Sequence, residues 1–446
     1  MRSAQDTCLR AHLKRPALSY NCFQSCQTPT VVAGGSAVNA LVKLILVFAG
    51  IVILIGRKWN LGLVLLLASV AVGILFTHPL PQIGTDILLA IVDPLTLRLA
   101  GVVVLIMVLG ELLRQSAGLK GMVEALQALI PNGRIVIAAL PALVGLLPMV
   151  GGAMFSAPMV DEVGDRLGAD GGRKTFVNYW FRHLWELIFP IYPSMLVAMA
   201  LLDLTAAQLA RASWPLVLAE MTGGLLFGLL GLPRNGPQDP DPSPRARSLS
   251  ILATSTWPVV LVIALSLTLP VDERIGLALS LVVTIVLMMA VKRIPARSLG
   301  EILCERIPWK SVVVIFGALI FRRVLQNSGA VLAVSDALTE LHIPLAVVTF
   351  GVPFIAALLT GLIVAGFSIG IPVILPLVVG DGGTITPAWT AWMLAGGYLG
   401  AMLSPVHLCL ALTRVYFETR WGPIYRRIAL SALLVITTAA TMLLLA

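Results

Sequence analysis

The second half of this chain repeats the first half at an interval of about 212 to 215 residues. Pro131 corresponds to Pro344, and Ser156 corresponds to Ser368. The segment 184–190 likewise corresponds to 399–405. In an apolar chain, such a duplication is typical of secondary transporters built from two structural repeats. We therefore expect the structural features of the first half to recur in the second.

The composition places the chain in a membrane. Its 446 residues are 58% hydrophobic and 12% charged, whereas soluble proteins carry about 25% charged residues. Several apolar runs reach the roughly 18 residues that a spanning helix needs, which predicts an all-α polytopic membrane protein. The net charge of +9 is then better explained by basic cytoplasmic loops than by nucleic-acid binding. The five cysteines lack metal-ligand or disulfide spacing, so we predict no metal site and no cofactor.

The repeat also defines the organisation of the chain. Residues 1–36 lie outside it, are polar, and are predicted to form a disordered extension. The first repeat is expected at 37–232, a cytoplasmic linker at 233–249, and the second repeat at 250–446.

Each half contains three predicted spans and then an apolar segment that is too long and too broken for one span. The spans are expected at about 37–56, 60–77, 98–115, 250–270, 274–292 and 310–327. The broken segments are about 134–160 and 344–380. Irregular backbone at membrane depth is tolerated only where protein or water covers it. We interpret both segments as re-entrant hairpins, with a pair of Pro-kinked spans as the alternative.

Each hairpin is followed by a span that proline interrupts. The first is expected to run to 189, stop at 190–193 and resume to about 202, and the second stops at 404–407. Proline removes a backbone donor and clashes with the preceding turn. Last spans at about 212–232 and 427–446 give five crossings per half. Because that number is odd, the second repeat is predicted to be inverted relative to the first.

The distribution of positive charge predicts the sidedness. One set of loops holds 20 Lys and Arg residues: 57–59, 114–134, 161–174, 233–249, 292–310 and 414–427. The opposite set holds three: 78–98, 203–211, 271–274, 326–343 and 380–388. Since positive loops stay in the cytoplasm, the basic set is predicted to be cytoplasmic and both termini external, in the inner (plasma) membrane.

Four half-helices should then begin near the middle of the membrane. Helix N-termini carry free amide donors and a positive dipole end, and converging N-termini suit an anion, whereas unwound carbonyls suit a cation. The glycines and hydroxyl residues predicted to line this site are Gly151, Gly152, Ser156, Ser194, Thr360, Gly361, Gly366, Ser368 and Ser404. A single Ser or Thr in a span more often bonds its own helix, which is the alternative for each hydroxyl.

Charged residues inside spans are rare and often functional. Arg182, His183 and Glu186 are predicted to lie on the half-helix before the first break, where Arg182 and Glu186 are spaced to pair on one face. Such a pair could simply neutralise itself. Alternatively, Arg182 binds substrate, and Glu186 or His183 carries the coupling proton. Tyr192 and His407 occupy equivalent positions in the two breaks and are further candidate contacts.

Two motifs carry a resemblance to a known family. The segment 148–158 (PMVGGAMFSAP) and the segment 178–186 (NYWFRHLWE) with its following Pro-Ile-Tyr-Pro resemble an uncharacterised integral-membrane family, domain of unknown function 401. The resemblance covers roughly 40–446 and implies a relation to gluconate permeases within the ion-transporter superfamily. It implies a homodimer in which hairpins and broken helices move as an elevator-type transport domain against a scaffold of the remaining spans. The Ser-Asn-Thr tips of the sodium–dicarboxylate branch are absent here, so sodium coupling is not implied.

The sequence therefore predicts a secondary transporter of a small organic anion, gluconate-like or another carboxylate, coupled to H+ or Na+. The alternatives are an exporter of an inorganic oxyanion, a channel or an intramembrane enzyme. The segment 366–370 (GFSIG) matches the Gly-x-Ser-x-Gly nucleophile motif. The His-Glu-x-x-His metalloprotease motif and the ATP-binding loop are absent from the sequence.

Overall fold

The computed structural model of the protein describes residues 37–446 except 116–124, 127–128, 147–151, 235–244, 269–272, 308 and 380–382. The described part is all-helical. The predicted N-terminal extension, most of the predicted cytoplasmic linker at 233–249, and Gly151 lie outside the described residues.

The helices of the first half alternate long spans with shorter pieces. They are α1 Ala37–Gly56, α2 Leu61–Leu75, α3 Leu80–Val92, α4 Pro94–Gln115, α5 Gly133–Gly145, α6 Gly152–Arg166, α7 Gly171–Arg182, α8 Pro193–Leu202 and α9 Ala206–Gly224. Helix α9 continues as a π-helical turn, Leu225–Leu229.

The second half follows the same order. Its helices are α10 Arg245–Thr268, α11 Glu273–Lys292, α12 Ala296–Glu301, α13 Trp309–Asn327, α14 Ala330–Glu340, α15 Leu345–Thr360, α16 Ile363–Val379, α17 Pro387–Met402, α18 Leu408–Tyr416 and α19 Trp421–Leu444.

Local side chains explain where several of these helices begin. The first backbone N–H groups of a helix have no partner within the helix and need an acceptor from outside. The residues whose side chains supply it are Asn60 at α2, Asn132 at α5, Asp170 at α7, Thr205 at α9 and Thr386 at α17. Proline occupies the first position of α8 and α17, where its missing donor costs nothing.

The helices agree with a membrane protein. Among the described residues, five helices are long and apolar enough to cross a bilayer, or six if the bent pair Val312–Asn327 and Ala330–Leu338 counts as one span. The predicted last spans start too late, because α9 begins at Ala206 and α19 at Trp421. The total of ten crossings stays a prediction.

Both segments interpreted as hairpins form two helices that pack against each other, α5 with α6 and α15 with α16. The second turn consists only of Gly361 and Leu362, with Gly361 at φ +69°. The predicted tip was longer, and its Gly366 and Ser368 instead lie inside α16. A Cβ on Gly366 would approach the Pro353 carbonyl oxygen to 2.9 Å. Gly366 therefore permits close packing of the two arms rather than forming a tip.

The sequence predicted the position of the second break better than that of the first. The second lies where proline predicted it, between Met402 and Leu408. The first begins seven residues earlier than predicted, because α7 ends at Arg182. The His183 ring bonds the Tyr179 carbonyl through Nδ1 at 2.7 Å. The His183 amide instead bonds the Trp180 carbonyl, one residue short of the α-helical register. Glu186 therefore lies in the break and not, as predicted, on one helical face with Arg182.

The described helices pack as two groups. The hairpins, the broken helices, α9 and α19 contact one another, and helices α1–α4 contact helices of the set α10–α14. Within the first group, a Cβ on Gly396 would lie 3.2 Å from the carbonyl carbon of Phe350. Glycine thereby lets α17 approach α15 closely, as small residues do between membrane helices. Helices α9 and α19 contact the broken helices α7 and α17, and the assignment of these last spans to the scaffold stays a prediction.

Contacts connect the loops that the charge distribution assigned to a common face. In the basic set, the Asn60 side chain donates to the Lys310 carbonyl at 2.9 Å, and Arg427 pairs with Asp170 at 3.2 Å. In the opposite set, the buried Asp86 bonds His78 at 3.0 Å and Asn327 at 2.7 Å, and Arg323 lies 3.3 Å from it. Which face is cytoplasmic stays a prediction.

We expect Glu162 and Ala207, both exposed, to lie on opposite sides of the membrane. Glu162→Cys should react with an impermeant maleimide only after the cytoplasmic face is opened, because it lies in a basic loop. Ala207→Cys should react in intact cells. Both variants are made with the five native cysteines replaced by serine. Labelling of both from the same side would contradict the topology.

Candidate functional site

The two breaks meet in a buried group of polar side chains. The Nε2 atoms of His183 and His407 are 3.1 Å apart, although the residues are 224 positions apart in the chain. The Tyr179 ring packs edge-on against both imidazoles, at centroid distances of 4.7 and 5.2 Å. We call these residues, with Arg182 and Cys409, the break cluster. It joins the break in the first half of the chain to the break in the second half.

The hydrogen bonds of Tyr179 hold the cluster in place. Its hydroxyl donates to the carbonyl of Met402 at 3.2 Å, at the end of α17. Its own carbonyl accepts from Nδ1 of His183. Since a carbonyl only accepts, Nδ1 carries the proton, and Nε2 of a neutral His183 accepts the hydrogen bond from Nε2–H of His407.

Arg182 places a guanidinium inside the protein at the start of α6. Its side chain is 3% exposed. A Cβ added to Gly152, the first residue of α6, would lie 2.5 Å from Nη2 and 2.7 Å from Nε. Arg182 also interacts electrostatically with Glu186, His407 and Cys409. The site therefore combines a fixed positive charge with the positive end of a helix.

Ser156 belongs to a network that the sequence analysis did not identify. Its hydroxyl donates to the Asn178 side-chain oxygen at 2.6 Å. The Asn178 amide in turn donates to the Ala153 carbonyl at 2.8 Å and to the Thr413 hydroxyl at 3.2 Å. Asn178 thus joins α6, α7 and α18. It immediately precedes Tyr179 of the break cluster in the sequence. A buried amide in a broken span was the signal that could have identified it.

Tyr192 and Ser404 make equivalent contacts in the two halves. The Tyr192 hydroxyl donates to the Gly145 carbonyl at the end of α5. The Ser404 hydroxyl donates to the Leu358 carbonyl near the end of α15 at 2.6 Å. The two contacts are separated by the same interval as the sequence repeat. In each half, the break therefore satisfies a carbonyl that the first hairpin helix leaves unpaired.

The remaining candidate hydroxyls behave differently from one another. Thr360 bonds the Ala356 carbonyl of its own helix at 2.7 Å, which is the ordinary role of threonine in a span. Ser194 is buried in the first turn of α8. Ser368 is fully buried, and its hydroxyl has no hydrogen-bond partner within the described residues. Gly361 lies directly against the second break. A Cβ there would lie only 2.8 Å from the His407 amide nitrogen, so glycine permits this close contact.

A buried carboxyl, Glu220, also went unnoticed in the sequence. It lies on α9, is 0% exposed, and accepts a hydrogen bond from the Tyr398 hydroxyl of α17. Its backbone carbonyl accepts from the Trp180 indole at 2.9 Å. A lone acidic residue in an apolar span was the available signal.

The sequence decides the family of the protein. Residues 40–446 match the family described as a protein of unknown function (DUF401). The chain belongs to this family.

A solved structure identifies the fold. The chain is similar to the YdaH transporter of Alcanivorax borkumensis, whose crystal structure is described as having an unusual topology. The TM-score is 0.54 at 15% identity, and the match covers 88% of this chain and 97% of the other. No curated protein matches the sequence. The DUF401 chain therefore has the fold of a membrane transporter.

Proposed function

We propose that this protein is a secondary active transporter of a small organic anion, a gluconate-like molecule or another carboxylate. The observation that carries the proposal is the buried guanidinium of Arg182 against the first residue of α6. A guanidinium is planar and donates two parallel hydrogen bonds to a carboxylate. A helix N-terminus adds backbone donors to the same anion.

Ser368, which lies outside the break cluster, supplies a further candidate group for such a substrate. The Ser368 hydroxyl is buried without a partner in the described residues, and the guanidinium of Arg182 lies directly against Gly152. Buried polar groups without partners destabilise a protein. An anion with hydroxyl groups, such as a sugar acid, would offer a carboxylate to the guanidinium and a hydrogen-bond partner to Ser368.

The packing of the helices supports a carrier of the elevator type. An apolar crevice, lined among others by Ile106, Leu109, Ile191, Val259 and Leu281, lies between the scaffold helices and the first break. Because the side chains that line this crevice are apolar, they form no hydrogen bonds that would oppose sliding of one packed group past the other. The fold is shared with a protein described as a transporter. We therefore propose two inverted repeats, a moving group of hairpins and broken helices, and a homodimer in the inner membrane.

Three alternatives remain from the sequence analysis: an oxyanion exporter, a channel, which counterflow distinguishes from a carrier, and an enzyme. An inorganic oxyanion would also bind a guanidinium beside a helix N-terminus, so an oxyanion exporter is the second candidate. An enzyme is less well supported. The segment 366–370 lies inside α16, whereas a nucleophile elbow requires a strand-to-helix turn that exposes the serine. Ser368 is fully buried.

Saturable counterflow in proteoliposomes tests the proposal. Liposomes loaded with unlabelled gluconate or sulfate should accumulate the labelled anion transiently, because a carrier exchanges one bound molecule for another and a channel does not. Imposed Na+ and pH gradients, applied separately, identify the coupling ion. If H+ drives uptake, Glu186 and His183 are the candidate proton carriers. Flux without saturation or counterflow would contradict a carrier.

A further inference from the structure

Three metal-binding side chains meet in the break cluster, which the sequence gave no reason to expect. Nε2 or Nδ1 of His183, the ring of His407 and Sγ of Cys409 lie within 4.8 Å of one another. The two histidines are buried, and Cys409 is half-buried. The positions of the cysteines along the chain did not predict this metal-binding group. Cys409 lies two residues after His407, but His183 lies 224 residues before His407.

We propose that His183, His407 and Cys409 form a binding site for a transition-metal cation of the zinc class. The proposal concerns binding alone and is independent of the transport proposal. Thiolate and imidazole together favour Zn2+ over Mg2+ or Ca2+, which prefer oxygen ligands.

The geometry of the two imidazoles fits a shared ion. With metal–nitrogen distances of about 2.0–2.1 Å, two nitrogens of a tetrahedral site lie about 3.3 Å apart. The observed distance between the Nε2 atoms of His183 and His407 is 3.1 Å. Cys409 lies within 4.8 Å, so its side chain must move by roughly 1 Å to reach the corresponding nitrogen–sulfur distance of about 3.5 Å.

The surroundings of His183 are those of a metal ligand. Ligating histidines usually donate their second ring nitrogen to a carbonyl or carboxylate, which fixes the tautomer. Here Nδ1 of His183 donates to the Tyr179 carbonyl at 2.7 Å, which leaves Nε2 as the ligand. The Tyr179 ring packs against both imidazoles and holds them in orientation.

The charges can balance even beside Arg182. Binding requires the Cys409 thiol to lose its proton to solvent and become a thiolate. The proton on Nε2 of His407 must also move to its Nδ1, which has no hydrogen-bond partner in the described residues. Glu186 adds a second negative group, with Oε1 at 3.9 Å from His183 Nε2. The ion and Arg182 would carry three positive charges against two negative charges on Cys409 and Glu186. A water bound at the open fourth position supplies the third negative charge when it ionises to hydroxide. Because its ligands come from both breaks, the bound ion would connect the broken spans of the two repeats.

Cobalt spectroscopy on single-cysteine proteins tests this site. One full-length protein keeps only Cys409, with Cys8, Cys22, Cys26 and Cys304 replaced by serine. The matched control keeps only Cys304, which is exposed, and replaces the other four. Co2+ should produce a thiolate-to-cobalt charge-transfer absorption in the first protein and none in the control, and Zn2+ should abolish it. His183→Gln or His407→Gln should weaken Co2+ binding by at least about 100-fold, because even outer-shell partners contribute 10–100-fold.

Folding is checked by gel filtration and by the unfolding temperature. X-ray absorption of bound cobalt needs no variant in the site and should count one sulfur and two imidazoles. Absence of the absorption in a folded Cys409-only protein would overturn the proposal, since His183 and His407 then share only a hydrogen bond. Binding that the histidine variants leave unchanged, or a ligand set without imidazole, would overturn it as well.

Discussion

Arg182→Met is expected to remove anion uptake almost completely. If the guanidinium binds the substrate anion in a buried site, its removal leaves that charge without a partner. Truncation of one member of a buried charge pair costs about 2–5 kcal/mol, and the lower limit corresponds to a decrease in affinity of about 30-fold. The measurement is substrate binding in detergent together with uptake into proteoliposomes.

The single variant also leaves Glu186 without a neighbouring positive charge, so the double variant Arg182→Met, Glu186→Leu is needed. Removal of both charges avoids a stranded buried carboxylate, and this protein should fold while failing to bind the anion. Arg166→Met is the control, because Arg166 pairs with Glu162 on the protein surface and such pairs contribute about 0–1 kcal/mol. A folded double variant with wild-type uptake would show that the two charges only neutralise each other.

Gly361→Ala is expected to destabilise the protein by about 2–5 kcal/mol. An L-residue at φ +69° costs about 1–2 kcal/mol. The added Cβ would also lie 2.8 Å from the His407 amide nitrogen and 2.9 Å from the Val406 carbonyl carbon. Overpacking of this kind costs typically 1–3 kcal/mol. The measurement is the unfolding temperature of purified protein.

Gly329→Ala separates the two contributions. Gly329 has φ +74°, and a Cβ there would meet no atom within 4 Å. Gly329→Ala should therefore lower the free energy of unfolding only by the backbone strain of about 1–2 kcal/mol. Equal destabilisation by Gly361→Ala and Gly329→Ala would show that the hairpin turn is not in close contact with the second break.

Local features of the sequence were sufficient for much of the fold. Apolar runs placed α1, α4 and α11 nearly at their observed bounds, because hydrophobic length is a property of a single segment. Pro405 located the second break because proline acts on its own helix. The sequence did not predict that α7 ends at Arg182. This end depends on the His183 ring, which takes the Tyr179 carbonyl that the His183 amide would bond in a continuous helix.

The sequence by itself determined that the chain is helical and apolar, that two of its apolar segments are broken, and that Arg182 and His183 lie near a break. Only the tertiary structure decided that His183 meets His407 and Cys409, and that the Arg182 guanidinium lies at the start of α6. The physical reason is sequence separation. Helix formation and membrane insertion follow from neighbouring residues, whereas the break cluster forms only when helices about 224 residues apart pack together.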